Sequence, residues 1–155
     1  MKTEFVTPFM VAATDILKTE VQAEITRGEL TVRKVATTAQ EVTIMVGVTG
    51  DVAGAVFYGM ANKTACQIVS VMLGQRLPVF DEIVESGIAE LGNVITGRAS
   101  MGLEEAGYSC RLTPPTIISG QGVIISTLEI NQLVIPIKTQ YGDIEIGVAL
   151  REAQS

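Results

Sequence analysis

The chain has 155 residues, 47% hydrophobic and 18% charged, with 11 basic and 17 acidic side chains and a net charge of −6. A mean hydropathy of +0.38 supplies enough apolar material for a core and excludes intrinsic disorder, while the acidic balance argues against binding a nucleic-acid backbone. The absence of His removes Ser-His and Cys-His nucleophile pairs, imidazole base catalysis and His-ligated metals together.

In chain order, Thr7 is predicted to cap a first helix with Pro8 at its first position, where a missing N–H costs nothing. Phe9, Ala13, Ile16 and Leu17 then recur at helical spacing to about Ala23. A strand is expected around Leu30 to Thr37, lying beside the hairpin that follows it. Val42, Ile44, Val46 and Val48 alternate as a second strand, Thr49-Gly50-Asp51 turns the chain, and Val52 to Tyr58 returns as the other arm of a hairpin. Asn62 is predicted to cap a short helix, Lys63 to Leu73, that stops at Gly74. Pro78 and Asp81 open the longest helix, Asp81 to Ala106, with Gly107 as its stop.

Strands are expected again at Cys110 to Ile118, Val123 to Ile130, Leu133 to Thr139 and Ile144 to Leu150. Gly120-Gln121-Gly122 and Gln140-Tyr141-Gly142-Asp143 supply the turns. This order predicts a single α+β domain over residues 1–155, with long helices packed on a mostly antiparallel sheet. Helix, strands and a hairpin occur once before Tyr58 and again after Pro78, a hint of pseudo-repeated halves; hairpins that simply look alike explain the echo equally well.

Cys66 and Cys110 form no CxxC pair and cannot complete a zinc site, so they read as free thiols in a reducing compartment. The start, Met1-Lys2-Thr3-Glu4, carries an acid where a signal peptide is basic. The longest uncharged run, Leu112 to Leu128, contains Pro114-Pro115 and two glycines, which does not suit a membrane span. A soluble, cytoplasmic protein is expected.

The long helix carries the chemistry. At about 100° per residue, Val84, Ile88, Leu91, Ile95, Ala99, Gly102 and Ala106 form one apolar stripe that must face the sheet. The opposite side carries Ser86, Glu90, Asn93, Gly97 and Ser100. These are mostly short polar residues rather than the long charged ones of an ordinary solvent face, and Gly97 and Ser100 leave room for another surface to approach. Glu90 and Asn93 lie one turn apart, so both can reach one external point. A carboxylate pairs with a cation, and a carboxamide both donates and accepts. A solvated polar stripe with no function has the same geometry.

The spacing Ser86-xxx-Glu90-xx-Asn93, followed by Pro114-Pro115, resembles the signature of the CheC/CheX/FliY chemotaxis phosphatases, and of the CheX-like branch in particular. The composition of the chain makes about 0.02 chance matches to the three-position pattern. Gly47-Val48-Thr49-Gly50-Asp51-Val52-Ala53-Gly54, Leu91-Gly92-Asn93 and Thr113-Pro114-Pro115-Thr116 look like the same branch, and the likeness extends over essentially the entire chain. CheC proteins usually carry a second Glu-xx-Asn on the first helix. Here that helix reads Phe9-Met10-Val11-Ala12-Ala13-Thr14-Asp15-Ile16, without one.

The resemblance implies a substrate, the aspartyl phosphate of a CheY-like response-regulator receiver, and a mechanism. Asn93 would orient the attacking water, and Glu90 would pair with the receiver's Lys. Ser86 would either hold Glu90 or merely be small enough not to obstruct. The chain needs no cofactor of its own, because the receiver supplies Mg²⁺. The competing class is a non-catalytic receiver-binding or flagellar-switch-type module. The resemblance also implies a homodimer, and the weakly charged segments Leu128 to Ile137 and Ile144 to Leu150 read as an open sheet edge that a partner would cover.

Overall fold

In a computed structural model, the described residues are 2–34, 38–123 and 131–153. Three helices and eight strands follow the order α1 (Thr3–Val21), β1 (Thr26–Arg27), β2 (Thr31–Arg33), β3 (Val42–Gly50), β4 (Val52–Met60), α2 (Asn62–Leu73), α3 (Glu82–Glu105), β5 (Cys110–Leu112), β6 (Thr116–Ser119), β7 (Gln132–Thr139) and β8 (Gly142–Glu152). All strands join one antiparallel sheet in the order β1-β7-β8-β4-β3-β5; β2 also pairs with β7, and β6 with β3. The architecture is α+β, as expected.

Alternation decides which face of the sheet meets the helices. Val42, Ile44, Val46 and Val48 of β3, Val56, Tyr58 and Met60 of β4, and Ile144, Ile146, Val148 and Leu150 of β8 point to one side. There they share a core with Phe9, Ala13, Ile16 and Leu17 of α1 and Ile88, Leu91 and Ile95 of α3. Each fully buried Ile or Leu contributes roughly 1.5–3 kcal/mol. Ala55, Phe57 and Ala149 form a smaller cluster on the opposite side.

The repeat hinted at by the sequence is a feature of the topology. Helix α1 leads into β1 to β4 as α3 leads into β5 to β8. The two long hairpins meet at the centre of the sheet, where β4 lies against β8 with Val56 opposite Val148. The leading strands are exchanged: β1 and β2 pair with the second hairpin through β7, and β5 and β6 pair with the first through β3.

Several local expectations change. Helix α1 begins at Thr3 rather than Pro8, so Pro8 is an interior residue and Thr7 is not a cap. Packing explains this: Phe5 and Val6 are buried, and the Phe5 ring meets Tyr108 edge-on at 5.0 Å, which draws the helix back through the proline. Asn62 is the first residue of α2, not its cap; the Glu41 carboxylate accepts from the Asn62 backbone N–H at 3.1 Å instead. Gly74 ends α2 at φ 64°, the left-handed geometry expected of it. Asp81 caps α3 by accepting from the Ile83 and Val84 N–H groups at 3.0 and 3.2 Å.

The segment expected as one strand from Cys110 to Ile118 is two, β5 and β6, separated by Pro114-Pro115. The strand expected over Val123 to Ile130 lies almost wholly outside the described residues. The segment Ile144 to Leu150 is no sheet edge: β8 is flanked by β4 and β7, and β7 by β8 and the pair β1 and β2. Its apolar composition reflects a central position, so the argument for a dimer from an exposed edge there falls. Among the described residues, no helix is long and apolar enough to cross a membrane.

Candidate active site

Helix α3 runs 24 residues and turns its apolar side to the sheet. Val84, Ile88, Leu91, Ile95 and Ala99 are buried as the sequence predicts, but the stripe ends on Leu103 rather than Ala106, which is exposed. Gly92 and Thr96 are buried beside it. A Cβ on Gly92 would stand 3.0 Å from Ile44 Cγ2 and 3.3 Å from Tyr58 Cδ2, so the helix backbone sits directly on the sheet at that residue.

Asn93 is the next residue along. Ser86 and Glu90 are exposed, and Asn93, Gly97 and Ser100 are half-buried on the outward side of the same helix. The structure therefore places Ser86, Glu90 and Asn93 on one face, as the spacing requires. The side-chain hydrogen bonds of α3 among the described residues are the Asp81 cap, Thr96 to Gly92 O, Thr96 with Tyr58, and Ser100 to Gly97 O. None takes up Ser86, Glu90 or Asn93, and the ion pairs are Lys2–Glu152 and Arg33–Glu145. A carboxylate and a carboxamide thus stand one turn apart on the outward side of one helix, neither side chain in a hydrogen bond among the described residues.

Gly97, one turn beyond Asn93, has nothing within 4 Å of where its Cβ would be. Nothing among the described residues requires glycine there, although mid-helix glycine costs about 1 kcal/mol relative to Ala.

Pro114-Pro115 serve the sheet. The Thr113 N–H donates to Gly47 O at 2.9 Å, and the Gly47 N–H donates to Thr113 Oγ1 at 2.8 Å, so the chain detours over β3 between β5 and β6. Proline, lacking a ladder donor, suits such an edge. Cys66 and Cys110 are free, and burial pushes both thiols up, with Asp81 adding to the effect at Cys66 and Asp51 at Cys110. Among the described residues no group of three or more His, Cys, Asp or Glu side chains could hold a metal ion.

The counterpart face on α1 differs. Counted from Thr3 and Glu82, the first residue of each helix, Phe9, Ala12, Ala13 and Ile16 fall on Ile88, Leu91, Gly92 and Ile95, all of them buried. The same count brings Thr7, Val11 and Thr14 onto Ser86, Glu90 and Asn93. The two helices share the buried packing positions, and the polar pair stands on α3 alone.

Sequence reasoning did not single out Tyr58 and Thr96, whose hydroxyls lie 2.7 Å apart in the core beneath Asn93. The available signal was a Thr between Ile95 and Ala99 on an otherwise apolar inner face.

Fold and site together define an α+β class with exchanged leading strands and a carboxylate and a carboxamide on the outward face of its longest helix. The family model for the chemotaxis phosphatase CheX matches residues 42–138, and the chain belongs to the CheX family. The CheY-P phosphatase CheX of Thermotoga maritima is 37% identical over 84 residues, which is 54% of this chain and 54% of that protein. The match thus spans about half the length of that curated relative. A CheC-like superfamily protein from Shewanella sp. PV-4 superposes with a TM-score of 0.87 at 25% identity, covering 97% of this chain and 99% of that one. The CheX of the CheX-CheY-BeF₃-Mg²⁺ complex from Borrelia burgdorferi gives 0.82 at 27% identity, over 96% and 98%.

Proposed function

We propose that this chain, acting as one CheC-like domain in the cytoplasm, is a protein aspartyl-phosphate phosphatase that dephosphorylates a CheY-like receiver. The observation that carries the reading is the outward pair on α3, Glu90 exposed and Asn93 half-buried, with neither side chain committed to a bond within the described chain. Membership of the CheX family and likeness to a protein solved in complex with CheY support it.

An aspartyl phosphate is already activated, so catalysis requires chiefly that water be held in line with the P–O bond. In this reading the Asn93 carboxamide enters the receiver's site and orients that water. Glu90 pairs with the receiver's Lys and fixes the docking geometry. Mg²⁺ belongs to the receiver, where it neutralises the phosphoryl oxygens. Ser86 provides clearance: no hydrogen bond among the described residues ties it to Glu90. The chain forms no covalent intermediate, in keeping with its lack of His and of a paired nucleophile.

The phosphatase is proposed to work as a symmetric homodimer with one site per chain, a reading that rests on the family resemblance. The test of the function is the decay of labelled phosphoryl-receiver. The wild-type chain should accelerate it, and Asn93→Ala should lose on the order of 10²-fold or more while staying folded. Stable binding to the receiver without acceleration would establish the non-catalytic module instead.

A further inference from the structure

We propose that Tyr58 and Thr96 are positioning residues that set the orientation of Asn93 from beneath α3, an inference that rests on the phosphatase reading above. Thr96 is fully buried and Tyr58 nearly so. The Thr96 hydroxyl donates its single proton to Gly92 O at 2.6 Å. The 2.7 Å contact between the two hydroxyls must then run from Tyr58 to Thr96. A proton chain therefore passes from strand β4 to the helix carbonyl immediately before Asn93.

The pair does more than pack the core, on two counts. First, Tyr58 is surrounded by apolar residues, Ile44 and Ile146 on the neighbouring strands and Leu91 and Ile95 of α3, and a pair of buried hydroxyls contributes little net stability over apolar groups of the same shape. Replacing both hydroxyls together would therefore cost the fold little. Second, a Thr hydroxyl that bonds the carbonyl four residues earlier adjusts the local bend of a helix. The turn so adjusted, Gly92 to Thr96, contains Asn93. Gly92 adds a close helix–sheet contact at the same place, against Ile44 and the Tyr58 ring itself. The turn that carries Asn93 is thus held at Gly92, which packs on the Tyr58 ring and whose carbonyl accepts from Thr96 at the end of the Tyr58–Thr96 chain. A group that must hold a water in line is sensitive to small displacements.

The experiment uses the full chain and a phosphorylated CheY-like receiver with Mg²⁺, following dephosphorylation at saturating and subsaturating receiver, together with thermal melting. Tyr58→Phe and Thr96→Val should each lower kcat by about 5- to 20-fold, with KM within about twofold of wild type, on the scale of a slightly misplaced group. Thr96→Ser, which keeps the hydroxyl, should restore most of the rate lost in Thr96→Val. In an Asn93→Ala background, Tyr58→Phe should lower the residual rate no further, because its effect passes through Asn93. Wild-type kcat in both folded single variants overturns the inference. So does an equal loss from Tyr58→Phe with and without Asn93, which would mark a purely structural role. If Tyr58→Phe does not fold, Thr96→Val and Thr96→Ser decide alone. Failure of the wild-type chain to accelerate dephosphorylation refutes the phosphatase reading and this inference with it; an active wild type, an inactive Asn93→Ala and a normal Tyr58→Phe refute only this inference.

Discussion

Gly102 of α3 lies directly against Pro8 of α1: a Cβ on the glycine would stand 2.9 Å from the proline Cβ and 3.3 Å from Cγ. Pro8 gives up one helical hydrogen bond inside α1, and its ring occupies the space that Gly102 leaves. Gly102→Ala should therefore destabilise the protein by about 1–2 kcal/mol through overpacking, even though Ala is the better helix former. Chemical denaturation checks the sign; an unchanged or raised midpoint would show that the helices part without cost.

Gly97 has the opposite environment. With nothing near its Cβ position, Gly97→Ala should stabilise α3 by up to about 1 kcal/mol. If a receiver docks against Asn93, the added methyl one turn away should raise KM by roughly tenfold, the discrimination a single misplaced methyl commonly gives. A variant that is more stable and fully active would remove Gly97 from the docking face.

Glu90 and Asn93 should separate kinetically. Asn93→Ala should lower kcat with docking largely retained. Glu90→Gln should raise KM and weaken its dependence on salt, since an exposed charge pair steers association and is screened by ions. Steady-state kinetics at two ionic strengths measures both effects. Identical signatures from the two variants would contradict the division of roles.

Alkaline pH should expose the buried titrating groups. Burial raises the Tyr58 phenol well above its ordinary value of 10.0, with the Thr96 bond opposing, and burial raises Cys66 above 9.0. Both groups stay protonated in the folded protein where the unfolded chain has begun to ionise. The unfolded state then binds fewer protons, so stability is complete below pH 9 and falls as pH rises beyond it. Denaturation between pH 8 and 11 should show that fall, with a shallower slope above pH 10 in Tyr58→Phe. A flat profile would mean that neither group is protected from solvent.

Light scattering at micromolar concentration should give the mass of a dimer, and dimers mixed with one Asn93→Ala subunit should keep about half the activity, as independent sites add. A monomeric mass sinks the assembly. An inactive mixed dimer sinks the independence of its sites.

Much of this molecule was legible in its residues. Asp81 as the opening residue, Gly107 as the stop and the recurrence of Val84, Ile88, Leu91, Ile95 and Ala99 placed α3 to within a residue at each end, and the outward pair Glu90 and Asn93 followed from that phase. Contacts distant in sequence produced the departures. Pro8 reads as a helix start until Phe5 packs on Tyr108. Asn62 reads as a cap until Glu41 takes up its N–H. Ile144 to Leu150 reads as a vulnerable edge because a central strand and an unprotected one share the same apolar composition, and only the pairing with β4 and β7 distinguishes them.

The exchange of leading strands carries a consequence for cooperativity. The segment before α3 holds the first hairpin but lacks the strands that flank it, while β1 and β2 are left without β7; the segment from α3 onward is incomplete in the mirror sense. Neither segment can bury its own hairpin edge, and α3 needs Ile44 and Tyr58 of the other segment as its floor. The chain is in effect two interlocked clasps, each closed by the other's tongue. Cut in the loop between α2 and α3, it should yield two fragments that are disordered apart and regain structure on mixing, and the face bearing Glu90 and Asn93 should form only when both are present.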